Sequence, residues 1–206
     1  MSTLEQLKDF LILGNATKVT ELTNQAIEEG STAAEVLDNA MIAGMKIIGD
    51  RFKEGKAFIP EMLIAARAMT AGLTILEPLL ADSGVKAKGT VLVGTVHGDL
   101  HDIGKNLAVI MFKGAGYSVV DLGVNVSSAA FIAKARETNP DFIGLSALLT
   151  TTMVNMEGII KDLKEAGITA KVIVGGAPVT AEYAKSIGAD LYAASAADGV
   201  EAIATS

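Results

Sequence analysis

Only two histidines occur in the chain, and both fall in the stretch VHGDLHDIGKN (Val96 to Asn106), interleaved with two carboxylates. Zinc is one chemistry to weigh, since His97 and His101 are four residues apart. That spacing serves a metal on a helix, whereas Gly98 and the apolar run TVLVGTV (Thr90 to Val96) put this stretch in a loop after a strand. His97 reads as an ordinary, satisfied histidine. His101 differs, because Asp99, two residues ahead, can accept a hydrogen bond from one ring nitrogen. That bond would fix the tautomer and turn the other nitrogen outward as a ligand. A phosphate loop is the other candidate for Gly98 to Lys105. It requires four residues between its first glycine and Gly-Lys, then Ser or Thr; here there are five, then Asn106. Asp99 and Asp102 would also repel phosphate oxygens. No G-x-G-x-x-G is present to mark a dinucleotide site.

The elements around this loop decide how much the pattern means. From Thr90 onward, short β-branched runs (TVLVGTV, YSVVDLG, DFIGLSALL, KVIVGG, ADLYAA) alternate with helical windows near 103–115, 128–138, 152–166, 179–187 and 197–204. Strict strand and helix alternation predicts a parallel sheet covered on both faces, five-stranded and of flavodoxin-like or Rossmann-like order. In such sheets ligands sit outside the carboxyl ends of the strands. Three unusual stretches fall there: Asp-x-His-x-x-Gly (Asp99 to Gly104), Ser146-Ala147-Leu148 after 41 intervening residues, and Gly175-Gly176 after 26 more.

The first half carries a different signal. Apolar residues recur at helical spacing in three stripes: Leu4, Leu7, Leu11; Val36 through Ile48; and Met62, Leu63, Ala66, Met69, Leu73, Leu76, Leu80. Gly14-Asn15, Thr32 with Glu35, and Pro60 mark helix ends, which predicts a four-helix bundle. The polar segment DSGVKAKG (Asp82 to Gly89) reads as a linker. The expected organisation is a helical cap over 1–88 and an α/β domain over 89–206.

Composition narrows the function classes. A formal charge of −7 without any Lys/Arg cluster argues against nucleic acid. No uncharged apolar run of about 18 residues and no secretory signal is seen, so neither a membrane partner nor export is expected, and the expected location is cytoplasmic. The absence of cysteine removes disulfides, thiolate zinc sites, iron–sulfur clusters and cysteine nucleophiles. Any metal must be held by histidine, carboxylate or a cofactor.

The three-part pattern resembles the cobalamin-binding domain of corrinoid methyltransferases and mutases, and GDRFKEGKAFIPEMLIAARAM (Gly49 to Met69) resembles the helical cap of the methionine-synthase type. Together they cover the whole chain. The family resembled is that of the small corrinoid proteins of methyltransferase systems. The resemblance implies a cobalamin or related corrinoid cofactor with His101 as lower cobalt ligand, Asp99 as its hydrogen-bond partner, and Thr152 where methionine synthase has a serine. It implies corrinoid contacts from Gly98, Leu100, Asp102, Ile103, Gly104, Ser146, Leu148, Thr150 and Ala177, with Gly175 and Gly176 along the nucleotide tail. Phe58 and Met62 of the cap would cover the upper cobalt face.

The implied function is that of a methyl carrier rather than a complete enzyme. It would take a methyl group on cobalt from a substrate-specific methyltransferase and yield it to a second methyltransferase that uses tetrahydrofolate or coenzyme M, with a reductive activase as third partner. Alternatives are a mutase's cobalamin subunit, which needs a substrate barrel and no such cap, and a cobalamin-binding sensor, which needs an effector such as a helix-turn-helix. A barrel-sized partner that co-purifies would favour the first, and no basic recognition helix precedes the cap to favour the second.

Overall fold

A computed structural model describes residues 1–83 and 87–206. It forms two compact units, a helical one of Met1–Ala87 with Gly114–Gly116 and an α/β one of Lys88–Lys113 with Tyr117–Ser206. The DSGVKAKG segment read as a linker begins inside a helix that continues to Ser83. Its residues 84–86 lie outside the described residues.

In the helical unit, α1 (Thr3–Ile12) starts at a capping box between Ser2 and Glu5, and α2 (Ala16–Glu28) starts at Asn15, whose side chain accepts from the Lys18 amide. A second capping box, Thr32 with Glu35, starts α3 (Ala33–Val36). This helix passes without a break through a π-helical stretch (Leu37–Ile42) into α4 (Ala43–Lys53), so the three make one rod. The fourth rod is α5 (Ile59–Ser83), with Pro60 in its first turn, where a missing N–H costs nothing. Leu7, Leu11, Val19, Met41, Met62, Met69 and Leu76 fill the core between them. By length and composition α5 could cross a membrane, yet Met62, Ala65, Ala66, Ala68, Met69 and Leu76 along it are buried in protein. Leu63, expected in the buried stripe, is 45% exposed. The inward face is centred on Met62, Ala65, Ala66 and Met69, and one residue's rotation of about 100° carries Leu63 off it.

The α/β unit runs β1 (Thr90–Thr95), α6 (Ile103–Gly114), β2 (Ser118–Asp121), α7 (Ser128–Thr138), β3 (Phe142–Ser146), α8 (Thr150–Met153), α9 (Asn155–Glu165), β4 (Lys171–Gly175), α10 (Ala181–Ser186), β5 (Leu191–Ala193) and α11 (Ala196–Ala204). All strand pairings are parallel, in the order β2-β1-β3-β4-β5. This is the flavodoxin-like order that the alternation predicts. Alternate side chains serve opposite faces: Leu92, Ile143 and Val174 pack with Phe131, Met156 and Ile160, while Val91, Val93 and Ile173 pack with Phe112 and Ile203.

Connections from β1 and β3 leave in opposite directions, so a crevice opens at their carboxyl ends. The register brings Thr95, Ser146, Gly175 and Ala193 into one row across that edge. The loops that follow these residues therefore emerge side by side.

Candidate functional site

The loop that follows β1 is organised around one buried carboxylate. Asp99 has no solvent exposure. Its Oδ1 accepts from the His101 backbone N–H at 3.0 Å and lies 2.7 Å from His101 Nδ1. Its Oδ2 accepts from the Thr152 hydroxyl at 2.6 Å and from the Leu148 amide at 2.8 Å. Burial by itself pushes the Asp99 carboxyl up. The hydrogen bonds from Thr152, from the His101 and Leu148 backbones and from the His101 ring outweigh it and hold the group well below the ordinary carboxylate range. Asp99 is therefore an anion at neutral pH, and an anion accepts. His101 Nδ1 must carry the proton it shares, and Nε2 of the neutral ring is left with a lone pair.

Several contacts aim that lone pair. The buried Thr95 hydroxyl donates to the His101 carbonyl at 3.0 Å, and Asn155 Nδ2 donates to the His97 carbonyl at 2.8 Å. Thr152 Oγ1 also lies 3.0 Å from the Leu149 carbonyl. A hydroxyl has one proton, so it donates to the carboxylate while Asp99 is ionised, with the carbonyl as its alternative acceptor. Lys105, buried in the first turn of α6, donates to Asp121 at 2.6 Å and to Asn106 at 2.7 Å. The lysine that made the loop resemble a phosphate binder thus points inward to an acid.

What surrounds the ring is apolar and open. Leu100 and Ile103 are 71% and 70% exposed, and Leu148 and Leu149 stand in solvent on the loop after β3. The His101 side chain between these loops is half exposed. Gly104 lies in the first turn of α6, and a Cβ there would meet no protein atom within 4 Å. A glycine inside a helix costs about 1 kcal/mol relative to alanine, and no neighbour here demands it. The open space, the exposed leucines and one free imidazole nitrogen fit a large, partly apolar group that approaches α6 closely and takes a single nitrogen ligand. Among the described residues no three His, Asp or Glu side chains gather to hold a bare ion.

The other expected site residues fall into three groups. Ser146, half-buried, ends β3, and Thr150, exposed, opens α8, both on the loop that carries Leu148 and Thr152. Asp102, just before α6, accepts from Asn106 Nδ2 at 3.0 Å. Gly175 ends β4, and Gly176 and the exposed Ala177 follow it. The two glycines have reasons inside the protein. A Cβ on Gly175 would stand 3.0 Å from the Ala193 carbonyl oxygen, and one on Gly176 would stand on top of the Ala147 carbonyl. Phe58 and Met62 belong to the helical unit, where Phe58 is exposed and Met62 is fully enclosed. Thr95, Leu149 and Asn155 have no sequence signature: the side chains of Thr95 and Asn155 bond to backbone carbonyls, and Leu149 offers only its own backbone carbonyl.

Gly104→Ala should separate ligand from fold. Helix propensity predicts an apo protein more stable by about 0.5–1 kcal/mol in thermal or urea melts. The added methyl occupies ligand space, so corrinoid affinity should drop by an order of magnitude or more, roughly the cost of overpacking a tight contact. Unchanged affinity would remove Gly104 from the site.

Comparison with known proteins gives the following. Two family models match, each described as a B12 binding domain, one over residues 3–77 and the other over residues 89–204. A corrinoid protein of Desulfitobacterium hafniense is 43% identical over 206 residues, covering 98% of this chain and 95% of the relative. A trimethylamine corrinoid protein of Methanosarcina acetivorans is 42% identical over 204 residues, covering 97% and 94%. Among solved structures, the methanol:cobalamin methyltransferase complex of Methanosarcina barkeri superposes with a TM-score of 0.86 at 30% identity, covering 97% of this chain and 77% of that one.

Proposed function

The chain belongs to the B12-binding corrinoid proteins and binds cobalamin or a related corrinoid, and on that premise we propose that it carries a methyl group between two methyltransferases. One loads it from a methylated substrate; the other passes the group to tetrahydrofolate or coenzyme M. When bound, the corrinoid supplies the cobalt that accepts and then yields the methyl group. The protein's own share is binding, axial ligation and exclusion of water.

The observation that carries this reading is the 2.7 Å contact between His101 Nδ1 and a buried Asp99 carboxylate. It leaves Nε2 as the atom that would ligate the cobalt. Asp99 fixes tautomer and ring direction, and Thr152 keeps Asp99 ionised by donating to Oδ2. Leu100, Ile103 and Leu148 offer apolar contact to the macrocycle, and Gly104 lets it come close. Ser146, Thr150, Gly175, Gly176 and Ala177 would hold the nucleotide tail. From the helical unit, Phe58 and Met62 are the residues proposed to shield the cofactor; Phe58 is exposed there and Met62 enclosed.

The partners follow from the role: a substrate-specific methyltransferase, an acceptor methyltransferase, and a reductive activase that restores the corrinoid after adventitious oxidation. For the substrate we favour a methylated amine, because the trimethylamine corrinoid protein is 42% identical while the methanol-system structure is 30% identical. The chain is a carrier subunit and turns over no substrate alone. We place it in the cytoplasm.

The test is reconstitution with corrinoid under anaerobic conditions, then mixing with methylamine and methanol methyltransferases and following the corrinoid spectrum. Methylation by a methylamine enzyme is the expected result; no methylation with any methyltransferase would overturn the carrier role. In the same preparation, His101→Ala should lose axial nitrogen coordination and weaken corrinoid binding about 10- to 100-fold, as when one metal contact is disturbed. Persisting nitrogen coordination would mean that another group is the ligand.

A further inference from the structure

The ligand loop is held from one further direction, by a residue that the Asp99 network does not include. Asn125, between β2 and α7, has a φ of 55°, in the left-handed region. A residue with a Cβ is uncommon there. Its backbone N–H donates to the Asp99 carbonyl at 2.9 Å. Its side-chain Oδ1 accepts from the Gly98 N–H at 2.8 Å. The two bonds bracket Gly98, itself at a φ of 81°.

That bracket lies where the loop has most freedom. Glycine has more conformational freedom to lose than any other residue, so a loop that turns at Gly98 needs an external tie to keep the next residue in one orientation. The segment bearing Asn125 is well placed to supply it, because it prolongs the pairing of β1 with β2 beyond the last strand residue. Thr95 N–H donates to the Gly123 carbonyl, Val126 N–H donates to the Thr95 carbonyl, and Val96 bridges Val126 in parallel. The residue type is also narrowly set. Glycine would accept the φ but offers no oxygen, whereas Asn and Asp both visit the left-handed region and carry a short acceptor.

We propose that Asn125 is a positioning residue for His101: it locks the Gly98 and Asp99 backbone so that the Asp99 carboxylate holds the imidazole in one orientation toward the corrinoid. This rests on the reading of His101 as the cobalt ligand.

Two variants isolate the effect. Asn125→Gly keeps the left-handed backbone and the N–H to Asp99 and deletes only the acceptor for Gly98. Asn125→Asp retains both. In the apo full-length protein, the Gly98 amide of N125G should exchange with solvent about three- to tenfold faster, the equilibrium worth of one hydrogen bond. The ring nitrogen NMR signals of His101 should move toward a mixture of tautomers. After corrinoid loading, the histidine-coordinated fraction, read from nitrogen splitting in the cobalt(II) EPR spectrum, should fall in the same variant. N125D should lie within on the order of twofold of wild type in each readout. Wild-type exchange and coordination in N125G would overturn the proposal, and so would N125D behaving like N125G. Should N125G melt too low for study, N125D decides alone: coordination kept supports the clamp, coordination lost refutes it. His101→Ala separates the two readings. If it leaves nitrogen coordination in place, the ligand assignment fails; if it abolishes coordination while N125G changes nothing, only the role of Asn125 fails.

Discussion

Asp99→Ala should destabilise the apo protein by about 2–6 kcal/mol, the cost of leaving two donors unsatisfied at about 1–3 kcal/mol each. Those donors are the His101 and Leu148 amides, both in part-buried bonds; the Leu149 amide, 3.4 Å from Oδ2, is too distant to add a full bond. Thr152 is not a third, because its hydroxyl can turn to the Leu149 carbonyl 3.0 Å away. Asp99→Asn should cost about half as much, since one amide oxygen can still accept on the His101 side while the NH2 group faces the Leu148 N–H. The pH dependence has a definite sign. The folded-state pKa of Asp99 is depressed, so its contribution is fully present above the unfolded value of about 3.9 and is lost as pH falls toward the folded one. The stability gap between wild type and D99N in urea melts should therefore narrow below about pH 4. A gap that stays constant down to about pH 3 would mean that the unfolded chain keeps Asp99 ionised as well as the fold does.

Features confined to a few neighbouring residues were legible in the sequence. The strand and helix alternation makes the sheet parallel because each helix must carry the chain back to the same end before the next strand begins. Asp99 and His101 are two residues apart, so their pairing needs only a turn, which Gly98 provides. Contacts between distant loops were not legible. The side chains of Thr95 and Asn125 bond to backbone groups of the ligand loop, and a backbone partner distant in sequence leaves no mark in the residue types around it. The π-helical stretch at Leu37–Ile42 is equally silent, since the apolar spacing through it suits an ordinary helix. Glycines show the limit most clearly. Gly104, Gly175 and Gly176 read alike as room for a ligand, yet only the space at Gly104 is unclaimed by the protein itself.

That separation gives the largest effect expected of a single methyl group. Gly176→Ala should abolish the folded α/β unit at 37 °C, or lower its stability by more than about 4 kcal/mol, a size reserved for severe steric or backbone conflict. Two costs coincide there. The φ of 130° is open to glycine and closed to residues with a Cβ, worth about 1–3 kcal/mol. The Cβ would also collide with the Ala147 carbonyl and crowd the Ala147 nitrogen, which is backbone and cannot rotate aside as a side chain would. Relief would require β3 and β4 to part where the Ala147 N–H donates to the Gly175 carbonyl. Ala147 precedes Leu148, whose amide holds Asp99, so any shift that saved the fold would also move the donor that keeps the carboxylate ionised. A partly folded G176A protein should accordingly show weaker histidine coordination of its corrinoid than wild type at equal occupancy. A variant that melts like wild type would show that the β4 turn is adaptable and that the Ala147 carbonyl does not bar a side chain there.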